Sequence, residues 1–204
     1  MVCWTDEIRS IEAGKWAYHC GGWRLSARGN HAGARAYRDE WGARDKTQMS
    51  RIQLEIREDD LSGDATRHLL RLHLEGMHAN SPPGSVFALD ALGLTAPGVT
   101  VWSAWHNRAI AGIAALKELS STAGELKSMR VHPDFLRRGV ATALLEHVIG
   151  FARARGMKRL SLETGSGPAF DPALTLYRRR GFVDGEPFGG YRRSEFNQFL
   201  HLII

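Results

Sequence analysis

The spacing of apolar residues changes near residue 49, and nearly all readable elements lie beyond that point. In "RIQLEIRE" (51–58) apolar and polar positions alternate, the period of a strand with one buried face. "DATRHLLRLHLEGMHA" carries Leu69, Leu70, Leu72, His73 and Met77 at helical spacing, and "NSPPGS" stops that helix and opens a loop. "VTVWSAW" and "AIAGIAALKEL" flank the turn "HNR" and predict a hairpin, with "ELKSMRV" as the third strand of the meander. From Gly139 to Arg155 the residues Val140, Ala143, Leu144, His147, Val148 and Phe151 recur at three and four, an amphipathic helix with one buried stripe. A strand "KRLSLET", a helix around "PALTLYRRR" stopped by Gly181, and a last strand "FNQFLHLII" complete a mixed α/β pattern.

Residues 1–48 show neither alternation nor a sustained helical stripe. Four of the six tryptophans, Trp4, Trp16, Trp23 and Trp41, lie there among Gly, Ala and Arg, with few Leu, Ile or Val. The expected organisation is therefore an N-terminal extension over 1–48 and one domain over 49–204. A partner-binding arm is the third choice for the extension, behind a terminal appendage and translated sequence upstream of a true start at Met49.

Composition narrows the class. With 204 residues, 43% apolar and 24% charged, the chain can bury a real core. No apolar run approaches the roughly 20 residues that span a bilayer, and the N-terminus lacks the basic start and apolar centre of a secretion signal. The expected location is the cytoplasm, with no membrane partner. The net charge of +5 is mild and suits a small anionic ligand. Basic residues are scattered and nearly balanced by acidic ones, with no recognisable motif, so nucleic-acid binding ranks last. Cys3 and Cys20 are the only cysteines, which fits a reduced compartment rather than a disulfide framework. No H-E-x-x-H pattern occurs, His73 and His78 are off same-face spacing, and Cys3, His19, Cys20 and His31 match no zinc pattern, so no metal is expected.

The stretch "LRRGVATALLEHV" (136–148) is the chemical signal. No Ser, Thr, Asp or Asn caps this helix, although its first-turn N–H groups and half a positive charge form a ready anion site. Arg137 and Arg138 add guanidinium groups able to fork onto phosphate oxygens. Pro133 turns the chain out of the preceding strand, and Gly139 removes the Cβ where backbone would approach a ligand. By itself this spacing fits a solvated basic loop equally well. No Lys-Ser/Thr follows the glycine, which disfavours nucleotide triphosphate hydrolysis.

Meander, basic glycine loop, helix, strand and a helix bearing "LYRRRGF" together resemble the GNAT superfamily, the GCN5-related N-acetyltransferases, over residues 50–204. The family loop reads Gln/Arg-x-x-Gly-x-Gly/Ala, and "LRRGVA" matches it at Gly139 and Ala141 but has Leu136 at the first position. The resemblance implies a mostly antiparallel central sheet splayed between its fourth and fifth strands, with helices on both faces. It implies acetyl-CoA as co-substrate. The diphosphate would rest on Arg137, Arg138, Gly139, Val140, Ala141 and Thr142, and the pantetheine arm along Met129, Arg130 and Val131, with main-chain bonds from Met129 and Val131.

Acetyl transfer to an amine needs a base, because an alkyl amine has a pKa near ~10, and the departing thiolate benefits from an acid. By resemblance Tyr177 is the acid and Glu125 the base, with Glu118 and Glu163 as secondary candidates for the base. An Asn often seven residues before the Tyr is replaced by Phe170. The cysteines lie outside the matching region, so direct transfer in a ternary complex is expected over an acyl-enzyme. Acceptor selection is expected from "MHANSPPGSVFALDALG" and "PFGGYRRSEF", where Phe87, Trp102, Trp105, Phe188 and Tyr191 are candidates for an apolar wall or for plain core. The expected function is N-acetylation of a primary amine of a small molecule or peptide. The alternative, kept open by Leu136 and Phe170, is a catalytically silent CoA-binding regulatory or interaction module. Dimers are frequent in the family, so a homodimer is also an expectation.

Overall fold

A computed structural model describes residues 52–88 and 90–204. The extension over 1–48, with Cys3, Cys20, His19 and His31, lies outside the described residues. Among the described residues seven strands form one sheet: β1 (Glu55–Glu58), β2 (Val99–His106), β3 (Ala109–Ser120), β4 (Ala123–Val131), β5 (Arg159–Thr164), β6 (Val183–Asp184) and β7 (Gln198–Ile203). Their order is β1-β2-β3-β4-β5-β7-β6. Four α-helices among the described residues accompany them: α1 (Asp64–Asn80), α2 (Ala91–Leu94), α3 (Val140–Ala154) and α4 (Asp171–Arg179). α2 and β6 go beyond the sequence expectation, because four and two residues are too short to show a period.

All neighbours in the sheet are antiparallel except β4 and β5. That parallel pair is registered only at Ala123↔Arg159, Gly124↔Leu160 and Glu125↔Ser161. Beyond Glu125 the two strands separate, which is the expected splay. A bulge in β4 lies at the same place. The register with β3 jumps from Ala115↔Lys127 to Ile113↔Arg130, so Ser128 and Met129 share one partner, Ala114. Ser128 takes a left-handed φ of 49°, the kind of local distortion by which a bulge bends a strand.

Local sequence explains the elements that frame this gap. Asp64 sits in the first turn of α1 and pairs with Arg67 at 2.6 Å, while Pro82 and Pro83 prevent the helix from continuing. Leu69, Leu70, His73 and Met77 are the buried side of α1. Asn107 supplies the left-handed residue of the β2–β3 turn, with φ 56°. In α3 the buried residues are Val140, Ala141, Leu144, Leu145, Val148, Ile149 and Ala152. The stripe thus lies one position round from the expected one, with Ala143, His147 and Phe151 only half-buried at its edge.

The core has two parts, on opposite faces of the sheet. Leu69 and Leu70 of α1 join Val101, Ile113 and Ala115. Val140, Leu144 and Val148 of α3 join Trp102, Ala114, Leu116 and Leu126. Adjacent strand residues point to opposite faces, so the two helices flank β3 from either side. Gly112 sets the approach of α3: a Cβ there would lie 2.9 Å from the Arg130 carbonyl, 2.9 Å from Leu144 and 3.0 Å from Val140. Gly112→Val is therefore expected to destabilise the domain by about 1–3 kcal/mol through overpacking. Urea unfolding reads this directly, and an unchanged midpoint would show that α3 does not seat on β3 at Gly112. Among the described residues no helix is long and apolar enough to cross a membrane.

Candidate active site

β4 leads into a short 3₁₀ turn, Pro133–Phe135, which delivers the chain to the start of α3. Arg137 (φ 59°) and Gly139 (φ 85°) are both left-handed, a conformation in which consecutive amides converge on a concavity suited to an anion. Glycine is needed at 139 for that φ. A Cβ there would meet nothing within 4 Å, so the protein leaves the space beside it open. No side chain among the described residues caps α3, and its first bond is Ala143 N–H to the Gly139 carbonyl at 3.0 Å. The amides of Val140, Ala141 and Thr142 accordingly have no partner among the described residues.

A crevice of about 380 Å³ opens over these amides. Val131, Arg137, Gly139, Val140, Ala141 and Thr142, all expected there, line it together with Phe135, Leu136, Pro172 and Leu176. Arg138 does not line it. Its guanidinium sits over the Phe135 ring at 5.4 Å. Met129 and Arg130 are likewise absent from the lining and buried in the sheet. The edge of β4 beyond Glu125 nevertheless has no register partner in β5.

Pro172 and Leu176 carry the crevice to α4, whose next residue is Tyr177. This side chain is fully buried, and its hydroxyl has no hydrogen-bond partner among the described residues. Burial pushes the phenol well above its ordinary pKa, so it is held as a proton donor. An unsatisfied buried hydroxyl costs about 1–3 kcal/mol unless water or a bound molecule completes its bonding. Phe170, at the head of α4, is core: its ring lies 5.5 Å from that of Phe196, and both close over Gly165.

The opposite face of the sheet holds a buried polar cluster. Glu125 and Lys127 share a face of β4 with the register partners Lys117 and Ala115. Both are nearly inaccessible, at 2% and 3% exposure. Lys127 Nζ donates to Glu125 Oε1 at 3.1 Å and to the Tyr191 hydroxyl at 2.6 Å, and the Tyr191 O–H donates to Glu125 Oε1 at 2.5 Å. Glu163 of β5 is buried beside them, and burial raises its carboxyl pKa above the ordinary range. Glu118 lies elsewhere, half-exposed and 3.6 Å from Arg155.

The expected aromatic wall forms in part. Phe87 and Phe188 meet the Tyr191 ring edge-on at 5.3 and 5.2 Å, beside the Glu125–Lys127 pair. Trp102 is buried in the core, where its ring faces Phe151 at 4.8 Å, and Trp105 lies under Arg57 at 4.6 Å. Lys127 is the residue that sequence reading passed over. Its signal was present, because "ELK" sets two opposite charges on one face of β4. Ser128 was missed too, and its Oγ is buried without a partner among the described residues.

The profile of the acetyltransferase (GNAT) family matches residues 64–182. The chain is 46% identical over 149 residues to the uncharacterized N-acetyltransferase YedL of Escherichia coli (strain K12), covering 73% of this chain and 94% of that protein. It is 45% identical over 147 residues to the uncharacterized N-acetyltransferase YsnE of Bacillus subtilis (strain 168), covering 72% and 97%. Among solved structures, a Bacillus subtilis acetyltransferase in complex with CoA matches with a TM-score of 0.56 at 18% identity, over 74% of this chain and 99% of that one. This last likeness is one of fold.

Proposed function

We propose, from the premise that this chain belongs to the acetyltransferase (GNAT) family, that it moves an acetyl group from acetyl-CoA to a primary amine of a small molecule or peptide. The observation that carries this reading is the crevice that runs from the uncapped amides of α3 to α4, where Tyr177 holds an unpaired buried hydroxyl. The residues fit the co-substrate. Gly139, Val140, Ala141 and Thr142 offer amides to a diphosphate, Arg137 adds a cation, and Leu136 and Val131 offer apolar contact. Bound there, acetyl-CoA supplies an acetyl group activated as a thioester. The solved Bacillus subtilis relative that holds CoA adds support.

The chain's own groups divide the proton work. Glu125 takes the proton that the amine must lose, directly or through water. Its Oε1 is engaged by Lys127 and Tyr191, and Oε2 takes no bond from a described residue. Tyr177 delivers a proton to the departing sulfur, which its buried phenol retains until then. No cysteine occurs between residues 52 and 204, so transfer is direct, with both substrates bound together.

The reading is tested by thiol release from acetyl-CoA across a broad panel of primary amines and peptides. Acceptor-dependent release is expected. CoA binding with no acceptor-dependent release from any member would instead favour a silent CoA-binding module. With a working acceptor, Glu125→Gln is expected to lower kcat by roughly 10²–10³-fold at neutral pH. Part of that loss should return toward pH ~10, where the amine sheds its proton unaided. An unaltered neutral rate would remove Glu125 from the base role.

A further inference from the structure

We propose that Tyr191, on the loop between β6 and β7, is a positioning residue for Glu125, and that Lys127 closes the bonded triangle fixing that carboxylate. The inference rests on the reading of Glu125 as the base.

The bond directions within the triangle follow from its chemistry. A lysine ammonium only donates, and here it donates to both Glu125 Oε1 and the Tyr191 oxygen. The tyrosine oxygen is thereby an acceptor from Lys127, and its own proton points to Glu125 Oε1 at 2.5 Å. Burial, and then the Glu125 charge, push the Tyr191 phenol well up, so it stays a donor throughout. All three bonds converge on Oε1 or on the atom that holds it. Oε2 is left as the oxygen that takes no bond from a described residue.

A buried ion pair alone would leave the carboxylate free to rotate and share either oxygen with Lys127. The phenol prevents this, because its ring is itself held. Phe87 and Phe188 pack edge-on against it, and Phe199 lies 5.9 Å away. Phe87 belongs to the loop after α1 and is 37% exposed. One aromatic side chain therefore ties both loops that flank the sheet here to the orientation of the base. Among the described residues, the titratable group facing the triangle from another element is Glu163 of β5, beside Glu125 and Lys127 of the triangle itself.

Tyr191→Phe removes the hydroxyl and keeps the ring, so packing survives. With a working acceptor, kcat is expected to fall roughly tenfold, as for loss of a hydrogen bond to a charged group. KM for acetyl-CoA should stay within about twofold, since the triangle lies outside the cofactor crevice. In a Glu125→Gln background the same change should add almost nothing, because its effect passes through the carboxylate. A second readout needs no turnover. The Tyr191 hydroxyl proton, held in a short bond to a carboxylate, should give a slowly exchanging low-field proton resonance. That resonance should vanish in Tyr191→Phe, move in Glu125→Gln and persist in Tyr177→Phe. Full additivity of the two rate effects, or a resonance indifferent to Glu125→Gln, would overturn the positioning role. Unimpaired turnover in Glu125→Gln with the resonance still responding would instead overturn the base assignment and leave the triangle standing.

Discussion

Gly139→Glu is expected to abolish measurable binding of CoA and acetyl-CoA. Two effects act together. A side chain at φ 85° is strained, and the glutamate would enter the open space beside the α3 amides with a negative charge of its own. An anion facing the positive end of a helix loses its attraction when a resident carboxylate has taken the place. Titration calorimetry with CoA should show at least a hundredfold loss, on the order of 3 kcal/mol or more. Gly139→Ala separates the causes, since it carries the strain without the charge and should bind with an intermediate affinity. Both variants should stay folded, because beyond its chain neighbours a Cβ at 139 meets no atom of the described residues within 4 Å. Wild-type affinity in a folded Gly139→Glu would mean that the phosphates bind elsewhere.

Tyr177→Phe is expected to lower turnover by roughly 10²–10⁴-fold, the range in which a well-placed general acid contributes. The ring and its 5.6 Å contact with Phe182 survive the change, so the protein should be at least as stable as before. Indeed, removing a buried hydroxyl that has no partner relieves an unfavourable burial, and the midpoint of unfolding should hold or rise. Affinity for CoA should change by no more than about threefold. This combination of lost rate, kept affinity and kept stability distinguishes a chemical role from a packing one. If the rate is unaffected, the acid lies elsewhere and the unpaired hydroxyl needs another explanation.

The sequence made the start of α3 legible because its signals are local. A glycine, two arginines, a missing cap and a helical period fall within a few residues, and the crevice forms there. Tyr177 was singled out through the motif around it, and the structure places it fully buried on α4 with no hydroxyl partner among the described residues. Arg138 lies outside the crevice lining because sequence proximity to an anion site does not determine which way a side chain turns, and its guanidinium sits over the Phe135 ring. The rotated stripe of α3 has a related cause. Gly112 lets the helix sink against β3 along Val140 and Leu144, and nothing in the periodicity of α3 encodes that approach. The Glu125–Lys127–Tyr191 triangle was the least legible part. Tyr191 stands 64 residues from Lys127, and only the paired strands β5 and β7 bring its loop back over β4. Lys127 looked like an ordinary strand lysine until its burial was known.

The proposed chemistry depends on a diphosphate resting on the amides that open α3, with the reactive end of the same molecule directed at Tyr177. The most direct measurement is a crystal structure of the chain grown with CoA. Diphosphate oxygens should lie within about 3.2 Å of amides in the Gly139–Thr142 turn, with the sulfur at the Tyr177 hydroxyl. A diphosphate bound at another surface, with those amides bare and Tyr177 remote from the thiol, would contradict it.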